Sequence, residues 1–105
     1  MGTLGMFKVM DWRCRQESDV TAGTLDLWFQ FGIKGPANSR HLGRLDIIWP
    51  SGNTQTLSQG MLPFDEFGGI VLEGSATLTN IVSGECKFRI FVAGKDLGEF
   101  PFTIE

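Results

Sequence analysis

The chain has 105 residues, of which 42% are hydrophobic and 20% charged, and its formal net charge is −3 at pH 7. That length suits one domain with one modest core, read as a single unit over residues 1–105, and that composition excludes a disordered chain. Nonspecific nucleic-acid binding needs a basic surface, which the net charge argues against, and no run of about 18 apolar residues is present to span a membrane.

Fourteen glycines and nine phenylalanines predict many turns and half-buried pleated surfaces. The first strand is expected over Leu4 to Trp12. Met6, Met10 and Trp12 share one parity there, and Phe7 and Val9 the other. Apolar residues of both parities predict a strand covered on both sides, or one at a subunit contact. Arg13 to Gly23 reads as a polar loop. In the second strand Leu25, Leu27, Phe29, Phe31 and Ile33 fall on one face, with Asp26, Trp28 and Gln30 on the other. Burial of five such side chains, at about 1.5–3 kcal/mol each, makes this strand central to the core.

Gly35-Pro36 and Asn38 break the chain into a loop from Lys34 to Ser39. A third strand follows from about Leu42 to Trp49, with Leu45, Ile47 and Trp49 inward and Arg44 and Asp46 on a polar face. Pro50-Ser51-Gly52-Asn53 is a tight turn, and Thr54 to Leu57 returns as a short strand. Gln59 to Gly69 reads as a long irregular connection. Its Phe64 and Phe67 are expected to pin it onto the core, the functional alternative being an exposed apolar lip. Ile70 to Leu72 and Ala76 to Ile81 read as two strands around Glu73-Gly74. In the last hairpin Cys86, Phe88, Ile90 and Val92 alternate with Lys87 and Arg89, and Phe100, Phe102 and Ile104 alternate after Gly94-Lys95.

Strands at spacings near ten residues, with no helical period, predict an all-β fold: an immunoglobulin-like antiparallel β-sandwich of about seven strands. A barrel is the alternative. Three stretches carry a resemblance. They are Gly2-Thr3-Leu4-Gly5-Met6-Phe7; Leu45-Asp46-Ile47-Ile48-Trp49-Pro50-Ser51-Gly52; and Gly84 to Gly94 followed by Leu97-Gly98-Glu99-Phe100-Pro101-Phe102. The chain resembles an uncharacterised bacterial family with an immunoglobulin-like or C2-like sandwich. Cys86 stands where that family's pattern has an aromatic, and Ala93 where it has an acidic turn residue. The resemblance implies the fold and transfers no site.

Catalytic and metal signatures are missing from the sequence. His41 is the one histidine, no G-x-S-x-G elbow is present, and Cys14 and Cys86 lack the partners that zinc needs. His41 reads as a surface or turn residue. Asp65-Glu66 is too small a cluster for calcium, and Gly68-Gly69 and Gly94-Lys95 read as turns, not phosphate cradles. No metal and no cofactor is expected, and no enzymatic activity. The N-terminus has no basic start with an apolar stretch, so a cytoplasmic setting is expected. There the two cysteines are read as free thiols, with a disulfide across the sheets as the alternative.

Trp28 and Phe91 are aromatic residues of polar parity. They define a candidate binding patch rimmed by Gln30, Lys87 and Arg89, on condition that their strands share a sheet. The function expected is a non-enzymatic interaction module acting through a sheet face or edge strand. Its partner would be another protein or a second copy in a homo-oligomer, with neither nucleic acid nor membrane involved. The alternatives are a structural component of a phage tail or virion-like assembly, and a carbohydrate-binding module using Trp12, Trp28 or Trp49.

Overall fold

The computed structural model describes residues 7–17, 23–79, 81 and 83–104. The expected start of the first strand at Leu4 and the family-like opening from Gly2 to Met6 lie outside the described residues. So do residues 18–22 of the expected first loop.

Seven strands follow in chain order: β1 (Lys8–Gln16), β2 (Thr24–Lys34), β3 (Arg40–Ile48), β4 (Thr54–Pro63), β5 (Gly69–Thr79), β6 (Gly84–Val92) and β7 (Lys95–Ile104). All pair antiparallel, in a three-stranded sheet ordered β1-β2-β5 and a four-stranded sheet ordered β4-β3-β6-β7. No described residue is helical. The fold is therefore the expected all-β sandwich of seven strands. Constant-type immunoglobulin domains carry their fourth strand on the first sheet; here β4 pairs with β3 in the second.

The core lies between the sheets. Leu25, Leu27, Phe29, Phe31 and Ile33 of β2 are all buried, as their alternation predicts, and face Leu45, Ile47, Phe88, Ile90 and Val92 of the other sheet. Phe88 is the aromatic hub. Its ring stacks on Phe102 at 4.3 Å, meets Phe31 and Trp12 edge-on at 5.3 Å and 6.0 Å, and lies tilted to Phe29 at 6.3 Å.

Several element boundaries differ from the expectation, for local reasons. β1 runs on to Gln16, through residues expected in a loop. Its ladder with β2 steps from Val9↔Ile33 to Asp11↔Gly32, so Met10 is an extra residue, a β-bulge. The bulge shifts the parity. Val9 before it and Trp12 and Cys14 after it all pack against the core, which is why apolar residues of both parities occur. β4 is ten residues long and not four. It carries its own bulge at Leu57, between Ser58↔Leu45 and Thr56↔Asp46. β5 is one strand and not two. Gly74 makes no turn but pairs with Phe29, and a Cβ there would come within 3.2 Å of the Phe29 ring. The third bulge is on β7 at Leu97-Gly98, between Glu99↔Arg89 and Asp96↔Phe91.

Candidate functional site

Trp28 and Phe91 do not share a face. Trp28 is on β2 in the three-stranded sheet and Phe91 is on β6 in the four-stranded one. Both point away from the core, so the expected joint patch is split across the two outer surfaces of the sandwich. Trp28 keeps Gln30, and Phe91 keeps Lys87 and Arg89. The strands that alternate so similarly are each the inner strand of a different sheet, and parity cannot say which.

On the first surface Trp28 is enclosed by polar neighbours. The Arg15 guanidinium lies 4.6 Å and the Arg13 guanidinium 5.6 Å from the centre of its ring. Its indole Nε1 donates to Glu73 Oε2 at 3.2 Å, and Gln30 Nε2 donates to Glu73 Oε1 at 2.9 Å. Arg13 Nε donates in turn to Gln30 Oε1 at 2.9 Å. Such cation–π and hydrogen-bond partners hold an aromatic ring on an open sheet without a protein partner.

The Gln30 and Trp28 bonds, aided by the charges of Arg13 and Arg15, hold the Glu73 carboxyl below its ordinary value of 4.5. A depressed carboxylate stabilises the fold fully above its unfolded pKa, and loses that contribution as pH falls through the lower native value. Glu73→Gln is therefore expected to flatten the acid limb of a plot of urea midpoint against pH, below about pH 4.5. A variant with the wild-type slope would show that these bonds add nothing.

The second outer surface is a ladder of opposite charges. Arg89 Nη2 donates to Glu99 Oε2 at 2.6 Å, Arg89 Nε is 3.6 Å from Asp96, and Lys87 Nζ is 3.4 Å from Glu99. Arg44 lies over Phe91 at 4.4 Å and reaches Asp46 Oδ2 at 3.2 Å. Asp46, expected on a polar face with Arg44, is 3% exposed there, held by Arg44 and by Thr56 Oγ1 at 2.8 Å. Lys87 and Arg89 are thus occupied with carboxylates of β7.

A third region is less paired. Met10, Phe67 and Val71 are exposed and line one shallow hollow of about 500 Å3 with Ile33 and Ile70, where Lys34 and Asp65 supply the charges. Phe67 is 82% exposed. Phe64, its neighbour in the same turn, is buried and pins the connection onto the core as expected, whereas Phe67 is not buried there. The turn that carries Phe67 is well braced. Asp65 Oδ1 accepts from the backbone of Phe67 at 2.8 Å and of Gly69 at 2.9 Å. Gly35 N donates to Gly68 O at 2.8 Å, Asn38 N to Asp65 O at 2.9 Å and Phe64 N to Ser39 O at 2.8 Å. The backbone bonds from Gly69 and Phe67 hold the Asp65 carboxyl below its ordinary value. Met10 is exposed because it is the bulge residue of β1, a role that no parity reading can assign.

His41 is half-buried on β3, not a free surface residue. Its ring meets Phe7 edge-on at 4.8 Å and Phe64 at 5.9 Å, which gives it a packing role. Cys14 and Cys86 are both free, and burial pushes both thiols up. Trp49 lines a separate hollow of about 440 Å3 with Ser51, Asn53 and Gln55 at the opposite end of the sandwich. Among the described residues no group of three or more His, Cys, Asp or Glu side chains is placed to hold a metal ion. Nor, among the described residues, is any helix long and apolar enough to cross a membrane.

No protein-family model matches the chain, and no curated protein matches it. Solved structures do. A Bacteroides fragilis protein assigned as a β-galactosidase superposes with a TM-score of 0.65 at 14% identity, over 93% of this chain and 17% of its own. β-Glucosidase 3B from Thermotoga neapolitana gives 0.56 at 12% identity, over 93% and 16%. The alkylpurine DNA glycosylase AlkC from Pseudomonas fluorescens, bound to DNA containing an abasic site analogue, gives 0.53 at 15% identity, over 94% and 30%. At these identities the likeness is one of fold. The chain spans under a third of each of these proteins.

Proposed function

We propose that the chain is a non-enzymatic docking module, which seats the Met10–Phe67–Val71 surface against an apolar surface of another folded protein domain. One observation carries this reading: Phe67 stands 82% exposed on a turn whose backbone is bonded on all sides. Leaving a large aromatic in water is unfavourable, and bracing it there forgoes the freedom to fold it away. Aromatic anchors on rigid supports are what interface centres use. The similar folds support the choice of partner. Each is a sandwich that makes up under a third of a larger chain, so folds of this shape sit beside other domains.

A photo-crosslinking amino acid at position 67 tests the reading in the source cell. One stoichiometric protein adduct is expected, and it should be lost on Met10→Ser with Val71→Ser while the melting temperature holds. Absence of any adduct, or a diffuse set indifferent to both serine changes, would remove the docking surface.

A further inference from the structure

An open sandwich has four edge strands, and three of them are visibly blocked against pairing. β1 carries its bulge at Met10, β4 its bulge at Leu57 and a terminal Pro63, and β7 its bulge at Leu97-Gly98 and Pro101. Bulges and prolines on an edge twist it away from, or deny hydrogen bonds to, an added strand. β5 has none of these. Its 11 residues, Gly69 to Thr79, pair with β2 without a register shift. It has no proline and no lysine, and Glu73 is its one charge. Its other side has no ladder among the described residues.

We infer that β5 is a homodimerisation edge: two copies pair β5 to β5, antiparallel, into one six-stranded sheet ordered β1-β2-β5-β5-β2-β1. The sequence of the strand is self-complementary about Gly74. With the two-fold axis there, Leu72 faces the partner's Ala76 and Ile70 faces the partner's Leu78, all on the inner face. On the outer face Val71 meets the partner's Thr77, a pair of β-branched residues, and Glu73 meets the partner's Ser75. No charge faces its like. The two Glu73 side chains are diagonal neighbours only, and each is drawn toward β2 by Trp28 and Gln30. The partner is therefore a second copy of this chain. Apolar against apolar and branched against branched are favourable cross-strand matches, and Glu73 against Ser75 keeps like charges out of register; a two-fold interface requires such self-matching.

This pairing rests on the reading of the chain as an association module; it shares Val71 with the hollow that displays Phe67 but leaves Met10 and Phe67 outside the ladder. Its test is the mass in solution over a concentration series, by sedimentation equilibrium. Wild type is expected to approach twice the 11.6 kDa of one chain, with hydrogen exchange of residues 69–79 slowing as concentration rises. Ser75→Glu sets a carboxylate against each Glu73 and is expected to weaken the dimer about tenfold; Ser75→Lys sets an ammonium there and is expected to tighten it by a similar factor. Ser75 Oγ also donates to Glu17 Oε1 of its own chain at 3.1 Å, so the urea midpoint of each variant is measured at a concentration where it is monomeric, and a change in dimerisation larger than the change in midpoint assigns the effect to the interface. A wild type that stays monomeric to millimolar concentration overturns the inference. So does a dimer indifferent to both changes, which would be held by another surface. The two readings fail separately, because Met10→Ser acts on the adduct at position 67 from outside the β5 ladder, and the Ser75 changes act on the dimer from outside the hollow that carries Phe67.

Discussion

Phe88→Ala is expected to remove a large share of the domain's stability at 25 °C. Phe88 is fully buried and its ring touches four others, two from β7 and β1 and two from β2. Its removal takes away the contact that binds one sheet to the other and leaves a cavity that rigid aromatic neighbours fill poorly. Substitutions of this kind cost about 3–5 kcal/mol, against a total stability of about 5–15 kcal/mol for a typical domain. Chemical denaturation with Phe88→Leu as the milder companion measures it. A loss below about 1 kcal/mol would mean that the sheets are held together elsewhere.

Gly68→Ala is expected to have the second largest effect. Gly68 has φ +80, a left-handed conformation that costs an L side chain about 1–3 kcal/mol. The added Cβ would also run into the carbonyl oxygen of Gly35, which is backbone and cannot step aside. Gly52→Ala separates the two causes. Gly52 has φ +92 but nothing within 4 Å of its would-be Cβ, so it reports the conformational cost alone. Gly68→Ala should therefore lower the melting temperature further than Gly52→Ala, and it should weaken the adduct at position 67 as the turn that carries Phe67 is displaced. Equal losses would show that the Gly35 contact relaxes.

The inner strands were legible in the sequence and the edges were not, for one physical reason. β2, β3 and β6 are in phase with a period of two along their length, so Leu25 to Ile33, Leu45 with Ile47, and Cys86 to Val92 all announce their faces. Each bulge inserts one residue and reverses the phase. Val9 and Trp12, Leu57 and Leu62, and Leu97 and Phe100 thereby face the core from opposite parities. In β1 that reversal read as a strand covered on both sides, and in β4 it ended the strand too early. Gly74 divided β5 in the reading because a glycine that makes room for Phe29 looks, in one dimension, like a glycine that turns. Sheet membership was beyond reach for the same kind of reason. Trp28 and Phe91 have equivalent parity, but which strands adjoin depends on connections that cross between the layers. Phe67 was half legible: a phenylalanine beside Asp65 and Gly68 could be read as pin or lip, and only the bonds of the turn decide.

The strand order also governs how the domain comes together. β1 with β2, β3 with β4 and β6 with β7 are neighbours in sequence, and each can zip from its own connection. β5 has no such neighbour. The strands before and after it both belong to the other layer, so its one ladder joins distant positions such as Asp26 and Thr77, 51 residues from each other. Closing that span costs chain entropy before any bond is gained, and pairings of this kind form slowly. The three-stranded layer thus cannot be completed until the chain has passed through two strands of the other layer. The two layers are consequently one cooperative unit, and the strand with the barest edge in the finished domain is also the one without a local hairpin partner during folding.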